Sequence, residues 1–168
     1  MKFDLSPIHR DLFRSVMRRL ASSVTVITTS HGDHIHGMTA TAVCSVCADP
    51  PTILIVVNRS ARSHPMIDGS GTFVVNILAD DQQVIAERFG GKLEDQFVGV
   101  DYRVGGSSVP ILRGAAAHLE CRVMSQNDVG THTVFVGGVV GGDVADASPL
   151  VYYDGGFSSL IASQESNV

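Results

Sequence analysis

The chain has 168 residues, 44% hydrophobic and 17% charged, with a net charge of −5. That length supports one compact core but is short for two, and the composition excludes a disordered chain. The acidic balance excludes a nucleic-acid surface, which needs clustered Lys and Arg, while leaving room for one local phosphate pocket.

Ser6-Pro7 places a capping residue before a proline, and Ile8, Leu12, Phe13, Val16, Met17 and Leu20 then share one helical face. An N-terminal helix over about 7–20 is predicted. No apolar run here is long enough for an export signal or a membrane span, so a cytoplasmic protein without membrane contact is expected. Residues 22–29 alternate as a strand, and His31-Gly32-Asp33-His34 reads as a turn. Strands are expected over 35–47 and 52–58, then a short helix over 63–70 ended by Gly69 and Gly71. A strand over 73–78 precedes a helix over 80–89 that starts at Asp80 or Asp81. Residues 92–108 read as a polar, Gly-rich loop with one weak strand. Ala117, Leu119, Cys121 and Val123 alternate with polar neighbours, which predicts a half-buried strand. A further strand spans 133–140, where Gly137-Gly138 imply a bulge or a close approach by another backbone. Residues 151–157 are expected to close the sheet. Short strands with a few peripheral helices predict a mainly β fold, a closed antiparallel barrel, in a single domain over 1–168. No Gly-x-Gly-x-x-Gly follows a strand, so no Rossmann dinucleotide site is indicated.

Several groups of residues could carry chemistry. Small side chains at Thr39, Ala40, Thr41, Ala42 and Ser45 leave room for a flat ligand against the backbone, or they form a plain barrel strand. Asn58-Arg59-Ser60 with Arg62 gathers two guanidinium groups, an amide and a hydroxyl, which suits an anion such as phosphate; a solvated turn is the alternative. Lys92, after Phe89-Gly90-Gly91, could add a point charge. His132, in Gly130-Thr131-His132-Thr133, could face a cleft and donate to a ligand, or sit in an ordinary turn. His31, His34 and His36 lack convergent partners and read as a His-rich turn, so no metal is expected. Cys44 and Cys47 lie three apart on a predicted strand and point to opposite faces, so they are expected to be buried structural thiols. No Ser-His-Asp order or carboxylate pair supports hydrolysis.

Taken in order, the motifs resemble the short-chain flavin reductases, the reductase components of two-component flavin monooxygenases. The resemblance runs from Phe13 to about Leu160. It rests on Phe13-Arg14-x-x-Met17, Ser23-Val24-Thr25-Val26-Ile27-Thr28-Thr29, His36-Gly37-Met38-Thr39-Ala40, Ser45-Val46, Asp49-Pro50-Pro51 and Asn58-Arg59-Ser60. It continues through Phe73-x-Val75-Asn76-Ile77-Leu78, Ala86-x-x-Phe89-x-Gly91, Gly130-x-His132-Thr133-x-Phe135-Val136-Gly137 and Pro149-Leu150-x-Tyr152.

The resemblance implies a split β-barrel of the FMN-binding type, usually a homodimer. It implies an isoalloxazine ring along Thr39, Ala40 and Thr41 and along Ser45, Val46 and Cys47, with Met38, Phe89, Gly91 and Tyr153 also at the cofactor. The flavin phosphate is expected near Asn58, Arg59, Ser60, Ala61 and Lys92. His132 matches a family histidine beside the nicotinamide. Two departures stand out: Thr131 occupies a position where the family commonly has Asp, and Cys47 one where serine is usual. The implied activity is hydride transfer from NADH or NADPH to FMN or FAD, with reduced flavin passed to a partner monooxygenase. Two other readings are a flavoprotein that reduces another acceptor, such as a metal or corrinoid centre, and a non-enzymatic flavin carrier.

Overall fold

The computed structural model describes residues 6–160. Among them the elements run α1 (Arg10–Met17), β1 (Ser22–Ser23), β2 (Thr25–His31), β3 (His34–Ala40), β4 (Val43–Ala48) and β5 (Pro51–Asn58). There follow α2 (Ser63–Ser70), β6 (Thr72–Ile77), α3 (Gln83–Gly90), β7 (Tyr102–Val104) and β8 (Pro110–Leu112). The chain ends in β9 (Ala117–Val129), β10 (His132–Val144), β11 (Val151–Tyr153) and β12 (Gly156–Ser158).

Seven strands form one sheet in the order β3-β2-β6-β9-β10-β5-β4. A single core receives side chains from all seven. Ile27, Phe73, Cys121, Phe135 and Ile55 are buried in it, and Met38 of β3 and Val43 of β4 pack against it. A flat sheet could not bring both its edge strands onto one core, so this one curls into an antiparallel barrel. The edges are β3 and β4, consecutive in the chain and joined by Thr41-Ala42, yet they do not pair with each other. The barrel is therefore split along that side. A second cluster, with Val24, Val26, Leu78, Phe89 and Leu150, packs α3 and the following segments against the outside of β2.

Asn76 ties the two layers together. Fully buried, it donates through Nδ2 to the Val26 carbonyl (3.0 Å) and the Thr28 hydroxyl (3.1 Å), and its Oδ1 accepts from the Leu112 amide (2.8 Å).

The structure corrects several expectations. The first helix is shorter than 7–20, and its N-cap is His9, whose Nδ1 accepts from the Asp11 amide. Ser6-Pro7 precedes the helix and does not supply its N-cap. The strand expected over 35–47 breaks at Thr41-Ala42. Helix α3 starts at Gln83, after Gln82 and not after an aspartate. Residues 151–157 do not close the barrel: β11 pairs with β1 and β12 in a separate three-stranded sheet. The register does shift at Val136/Gly137, but the close neighbour there is a ring and not a backbone. A Cβ on Gly137 would lie 2.6 Å from Phe73 Cζ.

Cys44 and Cys47 are exposed, which overturns their expected burial, while Cys121 is buried. A bulge between Ser45 and Cys47 resets the alternation of β4. Cys44 therefore faces Leu54 and Cys47 faces Thr52, both on the side of β5 away from the Ile53-Ile55-Val57 core face. Burial, with a smaller effect from Glu120, pushes the Cys121 thiol up to about 12.

Two predictions follow from this packing. Asn76→Ala strands buried amide and carbonyl groups and should cost about 3 kcal/mol in urea unfolding. In thiol titration of the native protein, Cys44 and Cys47 should react and Cys121 only on unfolding; rapid reaction of all three would contradict the packing.

Candidate active site

A trough follows β3 beside the split. Its wider part, a cavity of ≈ 600 Å³, has Met38, Thr39, Ala40, Thr41 and Ala42 along one side. Val56, Asn58, Gly90, Gly91, His132, Tyr152 and Phe157 complete it, with Val24, Ala86 and Glu87 at the margin. The narrower part, ≈ 380 Å³, is lined by His36, Gly37, Ser60, Ala61, Arg62, Phe89, Lys92 and Gln96. The two parts share Met38, Thr39, Gly90 and Gly91 and so are continuous. Each volume lies in the range of roughly 300–1,000 Å³ usual for small-ligand sites.

The floor is small because β3 carries Thr, Ala and Gly where a core strand would carry larger residues. The threonines are partly committed to the fold: Thr39 Oγ1 donates to the Ala86 carbonyl (2.6 Å), and Thr25 Oγ1 donates to the Ala40 carbonyl (2.6 Å). The Thr39 bond fastens α3 to β3 and suspends Gly90-Gly91-Lys92 over the trough. Gly37 allows Phe89 to lie against it, since a Cβ there would sit 2.5 Å from the Phe89 ring. Phe89 is thus a wedge that places the glycine turn. The opposite wall comes from the three-stranded sheet, where Tyr152 and Phe157 meet edge to face at 5.5 Å.

The narrow end is cationic. The Asn58 Oδ1 accepts from both the amide and the hydroxyl of Ser60 (2.9 Å each), which folds the Asn58-Arg59-Ser60 turn. Arg62 donates to the Leu93 carbonyl (2.9 Å) and straps the Lys92 segment to the start of α2. Lys92 makes no ion pair among the described residues. His36 Nδ1 is 2.7 Å from Ser63 Oγ, and its Nε2 is the only buried side-chain polar atom without a hydrogen bond among the described residues. Burial first, and the Arg62 guanidinium second, hold His36 below its ordinary value of 6.5.

His132 opens β10 opposite Asn58 of β5 and Val129 of β9. Its Nδ1 lies 2.9 Å from the Thr131 hydroxyl, and its Nε2 has no partner among the described residues.

The fold therefore gathers Met38, Thr39, Ala40, Thr41, Asn58, Ser60, Ala61, Phe89, Gly91, Lys92 and His132 at one trough. Ser45, Val46 and Cys47 do not line it, because the chain turns away at Thr41-Ala42. Arg59 does not line it either and pairs with Asp128 at 3.4 Å. The wall residue is Tyr152; the hydroxyl of neighbouring Tyr153 accepts from Arg19 at 3.5 Å. Sequence reasoning missed Gln96, Phe157 and the lining role of His36. Gln96 was hidden in a polar loop, yet it is buried and its Oε1 accepts from the Gly37 amide at 3.3 Å. No group of His, Cys, Asp or Glu suited to a metal occurs among the described residues, and none of their helices is long and apolar enough to cross a membrane.

The arrangement can hold a flat, partly apolar group against small side chains and an anionic group at one end. The donor set suits an anionic group such as a flavin phosphate: the Lys92 ammonium and the Arg62 guanidinium both belong to the lining of the narrow end, with the buried His36 imidazole beside them.

Because unfolded histidine protonates near 6.5 and folded His36 resists protonation, stability should be full above that pH and fall below it. The urea midpoint at pH 5.5 should lie below that at pH 7.5, and His36→Gln should reduce the difference. An undiminished difference in that variant would contradict the buried imidazole.

The family model described as "Flavin reductase like domain" matches residues 17–160. The chain is 38% identical to the FMN reductase (NADH) RutF of Stutzerimonas stutzeri, over 94% of this chain and 92% of that protein. It is 36% identical to the reductase component of the 4-nitrophenol 4-monooxygenase/4-nitrocatechol 2-monooxygenase of Rhodococcus opacus, over 94% and 84%. Its fold is similar to that of the NADH:FAD oxidoreductase SgcE6 of Streptomyces globisporus, solved with NAD and FAD fragments (TM-score 0.90, 31% identity, covering 98% and 100%).

Proposed function

The chain belongs to the flavin reductase-like domain family, and we infer that it is an NADH-dependent flavin reductase supplying reduced flavin to a partner monooxygenase. One observation carries the reading: a trough with a small-residue floor and a cationic end, faced by the His132 imidazole, whose Nε2 has no partner among the described residues. The reaction converts NADH, flavin and a proton into NAD⁺ and reduced flavin. The bound nucleotides supply the hydride donor and acceptor, so the protein's task is alignment.

Each part of the trough has a use in that task. The Thr39-Ala40-Thr41-Ala42 floor admits a ring system close to the backbone. As an edge strand, β3 presents backbone groups that a heteroaromatic edge can satisfy. Lys92 and Arg62 would hold the flavin phosphate, the part that FMN and FAD share. Asn58 would offer its remaining amide N–H groups. His132, donating from Nε2, would orient the nicotinamide or the reduced ring. Bringing the reacting atoms to roughly 3–3.5 Å needs no acid–base pair.

The whole chain would work as one domain, and as a homodimer. The reason lies in α1: Leu12, Phe13, Val16 and Met17 form a continuous apolar stripe, each 45–57% exposed, that nothing among the described residues covers. Three cysteines without a disulfide agree with a cytoplasmic setting.

Purified protein mixed with NADH and FMN or FAD should oxidise NADH at a rate that rises with added flavin. His132→Ala should lower kcat at least about tenfold while flavin Kd stays within about twofold. Lys92→Ala should do the reverse, weakening flavin binding about tenfold through a lost charge-assisted contact. Flavin binding without NADH oxidation would leave a carrier and overturn the enzyme reading.

A further inference from the structure

We propose that Arg59 and Asp128 form a clamp on the turn that carries His132, so that Arg59 positions the reaction's histidine and does not bind an anion. This rests on the role just given to His132. Arg59 follows Asn58 at the end of β5 and was expected at the flavin phosphate. Its guanidinium instead meets the β9–β10 turn. Nη2 donates to the Gly130 carbonyl at 2.8 Å, and Nη1 lies 3.4 Å from Asp128 Oδ2. The Arg59 backbone amide donates to the Thr131 carbonyl at 3.0 Å.

The clamp continues past His132. Thr133 Oγ1 donates to Asp128 Oδ1 at 2.5 Å. Having given its only proton, that hydroxyl accepts from His64 Nε2 at 2.8 Å, which places the His64 proton on Nε2. The His64 ring sits on α2 with its centroid 5.4 Å from Phe135, in the barrel core. The two residues before His132 are thus held through their carbonyls and the residue after it through its side chain. All three bonds end on Arg59 or Asp128.

The geometry needs such a hold. The ladder registers end at His132↔Asn58 and His132↔Val129, and Gly130 then turns at φ 58°. An exposed hairpin tip of that kind frays readily when nothing fastens it. Arg59 and Asp128 are 50% and 61% exposed, so their pair contributes little to global stability. Its consequence lies in where His132 is held relative to Asn58 and the trough floor.

The test uses the whole chain with Arg59→Gln, Asp128→Asn and the double variant. At saturating flavin each single variant should lose kcat about tenfold, and the double should be no worse than the weaker single, as expected for residues acting as a unit. Flavin Kd from fluorescence titration should stay within about twofold, and the urea midpoint should hold. Amide hydrogen exchange over residues 129–133 should speed up in all three. Arg59→Lys, which cannot reach both acceptors as a fork, should recover only part of kcat. A roughly tenfold rise in flavin Kd for Arg59→Gln with kcat unchanged, and a silent Asp128→Asn, would make Arg59 an anion ligand and overturn the clamp. Unchanged exchange in the turn would overturn it as well. Full activity in His132→Ala would instead overturn the role of His132, and the exchange measurement would still report on the clamp.

Discussion

The two edge strands of the barrel are consecutive in the chain and yet unpaired, and the rest of the molecule is arranged around that seam. Closing the sheet would require β3 and β4 to bond to each other; instead the chain turns outward at Thr41-Ala42. The Ala42 carbonyl accepts from the Val56 amide, which commits the chain to β5's side at once. An open strand edge in water invites non-specific pairing, so proteins cover such edges or use them. Here α3 and the loop after it cover one end of β3, through Thr39 to Ala86 and Gly37 to Gln96. The uncovered remainder is the trough.

Many of the polar groups that look available to a ligand already serve the fold. Ser60 gives both its amide and its hydroxyl to Asn58, Thr39 bonds α3, and Arg62 straps the Lys92 segment. This division has a physical benefit: groups spent on the scaffold fix the few that remain, Lys92 and the outer nitrogen of His132 among them. Preorganised donors cost no rearrangement when a ligand arrives. A chain with a net charge of −5 can in this way present a cationic pocket, because field strength in a small site depends on what faces it and not on the total.

Much of the strand order of events was legible from alternation and turn residues. Helix α2 lies where Ser63 to Ser70 and the left-handed Gly71 put it. The His31–His34 turn is a hairpin around Gly32. The site's small floor and its Asn58, Lys92 and His132 could be named because their residue types are unusual for the elements they sit on. The failures share a cause. Cys44 and Cys47 were assigned opposite faces from a period of two, and one inserted residue in β4 cancels that period. Arg59 has the right chemistry for a phosphate, yet its guanidinium also meets Asp128, sixty-nine positions away, a contact local sequence does not reveal.

The amino-acid sequence by itself determined where most of the barrel's strands lie, where glycines turn the chain, and which motifs stand in the order of a flavin reductase. Those properties depend on neighbours within a few residues. Only the tertiary structure decided that the barrel stays split at Thr41-Ala42, that β11 and β12 leave it for a sheet of their own, and that Tyr152 and not Tyr153 lines the trough. Each of these outcomes is set by which distant strand supplies the hydrogen-bonding partner, and local alternation carries no information about that choice.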